Sequence, residues 1–139
     1  MKSFKQYIIE SEQFVPGVYK DGEQNYSIDR LIKHTQSRTP TKVPVMDIIK
    51  NNSSLETKEG NFKVNLETPS EDFKKRVDRA NTQFPLLVHS SGWIIDGSHR
   101  LAKLHRSGET HADVHFINDE DLKHGIITSD EELKKSSEV

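Results

Sequence analysis

The densest group of chemically active residues in the sequence is the segment Asp-Gly-Ser-His-Arg that begins at Asp96. Ser98, His99 and Arg100 supply hydrogen-bond donors, and an arginine can grip a phosphate through two bonds. Gly97 lets a ligand approach the backbone closely. Asp96 can hold Mg²⁺, take a proton from an attacking hydroxyl, or only cap the following helix. These residue types predict a phosphate-binding site at Gly97, Ser98, His99 and Arg100. Asp96 and His99 are the candidate catalytic residues.

This segment lies between a predicted strand and a predicted helix. The apolar run "WII" precedes it, and "HRLAKLHRSG" reads as a helix that ends at Gly108. A helix N-terminus presents unpaired N–H groups and a partial positive charge, so phosphate binds there readily. The alternative is that Asp96 caps the helix while His99 and Arg100 point to solvent.

The neighbouring patterns predict an α+β fold, a small mixed β-sheet packed with helices. Two helices are expected to begin after the caps Ser27 and Ser70. The stretch "FPLLVHSSGWII" predicts two strands joined by a tight turn, and "THADVHFI" predicts another strand. On that strand Ala112, Val114 and Phe116 are expected to face the core.

The chain divides into three predicted parts. Residues 1–22 are expected to form a helical appendage, residues 23–125 the domain, and residues 126–139 a polar, frayed tail. Inside the domain, residues 51–69 show no sustained period and predict an exposed loop with a short strand at 62–66. Phe84 is expected in the core.

Composition excludes several classes of function. The chain has 139 residues, of which 32% are hydrophobic and 30% charged, and it has no cysteine, so disulfides, thiolate nucleophiles and cysteine-bound zinc are excluded. No apolar run is long enough to span a membrane, and no secretory signal is visible, which predicts a cytoplasmic protein without membrane partners. Residues 70–106 carry an excess of Lys and Arg, whereas residues 107–139 are acidic. The basic part suits one phosphorylated ligand better than a DNA duplex.

Four further polar residues are candidates for the rim of the predicted pocket: His34, Lys42, Asp113 and His115. Asp113 and His115 share a strand face with His111, but residues four apart on a strand are separated by about 13 Å. The three side chains therefore cannot bind one metal ion.

The stretch "PLLVHSSGWIIDGSHRLAKLHRSGETHADVHFI" resembles the core of the ParB/sulfiredoxin superfamily. Together with "YSIDRLIKHTQSRTPTKVPVMDI", the resemblance covers roughly residues 26–122. It implies a ParB/sulfiredoxin-like fold that binds a nucleoside triphosphate, ATP or CTP, with Mg²⁺. It also implies that Gly97, Ser98, His99 and Arg100 line the phosphates.

Two departures from that superfamily narrow the function. Sulfiredoxins carry their catalytic cysteine where this chain has Ser98, which excludes sulfinic acid reduction. Too few residues follow Ile117 for the DNA-binding and dimerisation segments of ParB partition proteins. The expected function is a nucleotide-dependent phosphotransferase or related phosphate-ester enzyme, with a nuclease left open. The alternative is a non-catalytic phage accessory factor that binds DNA, a nucleotide or a host protein, in host takeover or counter-defence.

The N-terminal stretch "MKSFKQYIIESEQ" resembles the leaders that direct internal head proteins of large tailed phages into the prohead. Such leaders are cut after a glutamate, and Ile8-Ile9-Glu10 fits that pattern. The resemblance implies a phage-encoded protein in the virion interior or the host bacterial cytoplasm. The alternative is an ordinary amphipathic helix that packs on the domain or on a partner.

Overall fold

The computed structural model describes residues 17–128. The leader-like segment, including Ile8-Ile9-Glu10, and residues 129–139 of the predicted tail lie outside the described residues. Within residues 17–128 the chain mixes strands and helices and belongs to the α+β class. The predicted class is therefore confirmed, while the ParB/sulfiredoxin-like arrangement stays a prediction.

The main sheet has four strands in the order β3, β8, β6, β7. These are β3 (Thr41–Pro44), β6 (Leu86–His89), β7 (Ile94–Asp96) and β8 (His111–Ile117). β8 runs parallel to β6 and antiparallel to β3, while β6 and β7 form an antiparallel pair. The sheet is thus mixed, and the predicted two-strand unit before the phosphate segment is present.

A second sheet has three antiparallel strands: β1 (Val18–Asp21), β2 (Gln24–Ser27) and β9 (Ile126–Ile127). β1 lies in the predicted helical appendage and β9 in the predicted polar tail, so both short segments are ordered strands instead. Val18 and Tyr19 are buried. Gly22, which follows β1 and predicts a break in the chain, lies in the turn between β1 and β2. The apolar residues of this hairpin reach the core.

Six α-helices surround these sheets within residues 17–128. They are α1 (Ile28–Thr35), α2 (Val45–Asn51), α3 (Phe62–Glu67), α4 (Glu71–Arg79), α5 (Ser98–Arg106) and α6 (Asp119–Leu122). Ser27 caps α1 by accepting from the backbone N–H of Arg30, and Ser70 caps α4 by accepting from that of Phe73, as predicted. None of the helices in this range is long and apolar enough to cross a membrane.

The segment predicted as a loop with a short strand contains a small hairpin followed by a helix. The hairpin pairs β4 (Glu56–Thr57) with β5 (Gly60–Asn61). The predicted strand at 62–66 is wrong, because the Asn61 side chain accepts a hydrogen bond from the N–H of Val64 and starts α3 there. Phe62 at the start of α3 is fully buried, which packs this helix against the core.

Two aromatic residues predicted in the core are exposed. Phe84 is 60% exposed in the loop before β6, and Phe116 is 37% exposed on β8, so both predictions are wrong. On β8, Ala112 and Val114 are buried as expected, but so is Ile117 on the opposite face. β8 is an interior strand of the sheet with apolar packing on both faces, and its alternation therefore does not separate core from solvent.

Candidate functional site

The strand-to-helix turn that carries the predicted phosphate segment depends on Gly97. This residue is the N-cap of α5 and has a φ of 113°, a left-handed conformation that favours glycine. A Cβ added there would lie 2.7 Å from Cδ2 of Leu86 and 3.0 Å from Nη1 of Arg100. Both the conformation and the space at this turn therefore require glycine.

No side chain within residues 17–128 caps α5. The cap position is Gly97, and Asp96 belongs to β7 one residue earlier, so the alternative that Asp96 caps this helix is wrong. Among the residues that the structure describes, no side chain accepts from the first N–H groups of α5, and Ser98 and His99 in its first turn line a cavity. The positive end of the helix is thus available to a ligand.

Arg100 is held by the protein as well as facing the cavity. Its Nη1 donates a hydrogen bond of 2.7 Å to the carbonyl oxygen of Pro85, and its Nη2 lies 3.5 Å from Oδ2 of Asp96. A guanidinium has five N–H donors, so these contacts leave donors for a ligand. Arg100 therefore also ties the β7–α5 turn to the chain just before β6, a structural role that the sequence did not indicate.

A cavity of about 550 Å³ lies against this turn, and all five residues of the predicted segment line it. This volume is in the usual range of small-molecule sites. Besides His99, four basic and two acidic side chains line the cavity: Lys58, Arg76, Arg79, Arg100, Glu59 and Asp96. The excess of positive charge favours an anionic ligand.

Four of these charged residues, Lys58, Glu59, Arg76 and Arg79, are not among the residues that the sequence predicts at the site. Arg76 and Arg79 lie on α4, whose buried side consists of Phe73 and Val77, and the basic excess of this part of the chain was the signal that could have found them. Glu59 lies in the turn between β4 and β5, within a segment predicted to be an exposed loop. Nothing in the local sequence pattern indicated that its carboxylate is buried.

The side chain of Glu59 is only 2% exposed and contacts two residues of the cavity wall. Its Oε1 lies 2.8 Å from Nε2 of His99, and its Oε2 lies 2.8 Å from Nε of Arg76. The hydroxyl of Thr57 lies 3.3 Å from Oε1, and the ring of Phe73 packs beside His99 with 5.5 Å between ring centroids. We call Glu59, His99 and Arg76 the cavity cluster.

The surroundings of Glu59 keep its carboxylate ionised. Burial alone raises the pKa of this carboxyl, but the hydrogen bond and charge of His99, the charge of Arg76 and the Thr57 hydroxyl together hold the pKa below its ordinary value. A buried carboxylate without such partners would be neutral. The cavity cluster therefore places a fixed negative charge directly behind the imidazole of His99.

One side of the cavity is apolar. It is lined by Val18, Ile28, Leu55, Ile94 and Ile95. These residues come from the N-terminal hairpin, the start of α1, the segment before β4, and β7. The cavity thus combines a cationic side at α4 and α5 with an apolar side, which the sequence patterns did not reveal.

The four residues predicted at the pocket rim lie elsewhere. Lys42 and Asp113 face each other across β3 and β8 in an ion pair of 2.8 Å. His34 contacts Asp121, and His115 is buried with Nε2 3.1 Å from the carbonyl oxygen of Arg38. None of the four is among the residues that line the cavity at α5.

No group of three or more His, Asp or Glu side chains within residues 17–128 is arranged to hold a metal ion. Asp96 offers a single carboxylate at the cavity, next to Arg100. This arrangement differs from an all-protein metal site. It fits only the kind of Mg²⁺ site in which one carboxylate of the protein and the phosphates of a bound ligand coordinate the ion together.

Comparisons with known proteins identify no similar protein. The chain matches no family model, no curated protein and no solved structure. The functional interpretation therefore depends on the geometry of the cavity and on the motif within it.

Proposed function

We propose that this protein binds a nucleoside triphosphate, ATP or CTP, in the cavity at the start of α5 and transfers its terminal phosphoryl group. The observation that carries the proposal is the uncapped N-terminus of α5, which opens into a cavity of about 550 Å³ with four basic side chains. Phosphoryl transfer depends mainly on positioning and on stabilising negative charge. The cavity offers both.

The phosphates would lie at the beginning of α5. The backbone N–H groups of Ser98 and His99 and the Ser98 hydroxyl are donors there, and Arg100 adds a guanidinium whose position is fixed by Pro85. Arg79 forms no side-chain hydrogen bond or ion pair within residues 17–128, so its charge is free to pair with phosphate.

The nucleobase would lie on the apolar side of the cavity. Val18, Ile28 and Leu55 provide the kind of surface on which a flat ring buries its faces, and Asn81 on the cavity wall offers amide groups for its edge. This combination is the support for a nucleotide rather than inorganic phosphate alone.

Asp96 is the residue that would hold Mg²⁺ together with the phosphates. Its carboxylate lines the cavity beside Arg100. When bound, Mg²⁺ would neutralise the charge that develops on the transferred group. Asp96 would contribute one oxygen ligand to the ion, and its carboxylate lies 3.5 Å from Nη2 of Arg100.

Calorimetric titration with ATP, CTP, GTP and UTP, with and without Mg²⁺, tests the proposal. We expect one nucleotide to bind, and a concentration of 100 times its Kd to stabilise the fold by about 2.7 kcal/mol. Asp96→Asn should weaken the Mg²⁺-dependent part of the binding, because the amide is a poorer ligand for the ion.

Three outcomes are informative. Binding followed by hydrolysis or transfer supports the whole proposal. Binding without turnover, for any acceptor including water, overturns the phosphotransferase and leaves the non-catalytic binding factor. No binding of any nucleotide overturns the proposed function entirely.

A further inference from the structure

The cavity cluster contains a histidine whose two ring nitrogens have different surroundings. Nε2 of His99 lies 2.8 Å from the buried carboxylate of Glu59. Nδ1 forms no hydrogen bond with any residue in the range 17–128. The His99 side chain is 28% exposed and lines the cavity. Nδ1 is therefore the ring nitrogen that remains for a ligand.

The protonation of the ring follows from its partner. Glu59 is ionised, because its contacts with His99 and Arg76 hold its pKa below the ordinary value. An ionised carboxylate only accepts hydrogen bonds, so Nε2 must carry a hydrogen. The ring therefore takes up or releases its second proton at Nδ1, which has a lone pair whenever the ring is neutral. Proton exchange of this ring thus takes place at Nδ1, in a residue that lines a cavity with an excess of cationic side chains.

Glu59 is itself held in place by its own hairpin. Its backbone N–H donates to the hydroxyl of Thr57 at 3.2 Å, and its carbonyl oxygen accepts from Nδ2 of Asn65 at 3.2 Å. Arg76 neutralises the oxygen that does not contact His99. A purely electrostatic partner for Arg76 would not require this orientation, whereas holding one tautomer of a histidine does.

We propose that Glu59 is a positioning residue that fixes His99 with Nδ1 toward the cavity, and that His99 accepts the proton of the attacking hydroxyl or water. The inference rests on the proposed function and assigns the base of that reaction. It assigns the role of proton acceptor to His99 instead of Asp96. Asp96 keeps its proposed roles as a ligand of Mg²⁺ and as the partner of Arg100.

The acceptor oxygen forms a bond to the terminal phosphorus while its proton passes to Nδ1 of His99. The bond from phosphorus to the bridging oxygen breaks, and its electron pair leaves with the nucleoside diphosphate. The ring becomes an imidazolium, which the negative charge of Glu59 stabilises. Release of that proton to solvent restores the neutral ring.

The first test reads the tautomer without any ligand. In the full-length protein labelled with ¹⁵N-histidine, His99 is expected to show the Nε2–H tautomer. Glu59→Gln should lose the preference for this tautomer, because an amide can either donate or accept. The matched control is Glu56→Gln, which alters a carboxylate of the same hairpin that contacts Asn61 rather than His99. A wild-type Nδ1–H tautomer would overturn the inference.

The second test measures turnover with the nucleotide that binds, water serving as the acceptor. Glu59→Gln and His99→Ala should each lower the rate of hydrolysis by about 10²-fold or more, with nucleotide affinity retained. The double variant should be no slower than His99→Ala, because the two residues act as one unit. Added imidazole should restore part of the rate of His99→Ala but not that of an Asp96→Asn variant.

The outcomes separate this inference from the proposed function. Undiminished hydrolysis by His99→Ala overturns the role of His99 while the proposed function stands. Binding without any turnover in the wild type overturns both the phosphoryl transfer and the role of His99, and leaves only nucleotide binding. Accumulation of an acid-labile phosphoprotein that is absent from His99→Ala would also overturn it, since the ring would then be a nucleophile. Melting temperatures of all variants identify any loss that comes from unfolding.

Discussion

The cavity cluster and a second cluster around Asp121 contain the same three residue types: a carboxylate, a histidine and an arginine. Around Asp121, Oδ1 lies 3.0 Å from Nε2 of His34 and 2.6 Å from Nη2 of Arg38. Oδ2 accepts from Nη1 of Arg38 and from the backbone N–H of Asn118. The ring of His34 stacks on that of His124, with centroids 3.9 Å apart. This cluster joins α1 and the segment after it to α6 and the turn that follows.

The two clusters also resemble each other electrostatically. The hydrogen bond from Arg38, together with Asn118 and His34, outweighs burial and holds the pKa of Asp121 well below its usual range. The pKa of Glu59 is lowered as well. Yet His34, Arg38 and Asp121 do not line the cavity at α5, whereas all three members of the cavity cluster do. A perturbed carboxyl thus marks a tight cluster, and only its position beside a cavity makes it a candidate for chemistry.

Loss of the Asp121 charge is expected to give the largest effect on stability. Asp121→Asn keeps the shape but removes the charged hydrogen bonds to Arg38 and His34, and should lower the free energy of unfolding by about 2–3 kcal/mol. Denaturant unfolding measures the change, and nucleotide affinity should stay the same. Asp113→Asn is the control, because its pair with Lys42 is exposed and should contribute about 0–1 kcal/mol. A loss of nucleotide binding in Asp121→Asn would contradict the division between the two clusters.

Variants of two arginines that line the cavity test the other half of the comparison. Arg79→Ala and Arg100→Ala should each weaken nucleotide binding by about 2 kcal/mol, through loss of charged hydrogen bonds to phosphate. Only Arg100→Ala should also lower stability, by about 1 kcal/mol, since it removes the contact with Pro85. Calorimetric titration and denaturant unfolding separate the two effects. Arg106→Ala, which removes a surface pair with Asp78, is the control and should leave affinity unchanged.

The smallest expected effect is the response of the Asp121 cluster to acid. A carboxyl whose folded pKa is lowered stabilises the fold above its unfolded pKa, and this contribution disappears as the pH falls toward the folded value. Between about pH 5 and about pH 3, Asp121 alone should remove about 1 kcal/mol of stability. In unfolding experiments across that pH range, the free energy of unfolding of Asp121→Asn should fall less than that of the wild type. An identical decrease in both proteins would show that other carboxylates account for it.

Local patterns predicted those parts of the molecule that depend on neighbours along the chain. The caps Ser27 and Ser70 bond to N–H groups three residues away, which makes them readable from sequence. The same holds for the turn at Gly97 and the helix after it. The segment without a sustained period was predicted less well: a short strand is predicted at 62–66, but the cap at Asn61 starts a helix there.

The sequence by itself determined the α+β class and the position of the polar segment from Asp96 to Arg100 at the start of a helix, because periodicity and turn chemistry act over a few residues. Only the tertiary structure decided which side chains meet that segment. Glu59 is 40 residues from His99 along the chain, and it reaches the ring because the β4–β5 hairpin packs beside α4 and α5. Contacts of this kind depend on how apolar faces pack across the core. The burial of apolar surface drives that packing, and it does not depend on which polar side chains are brought together.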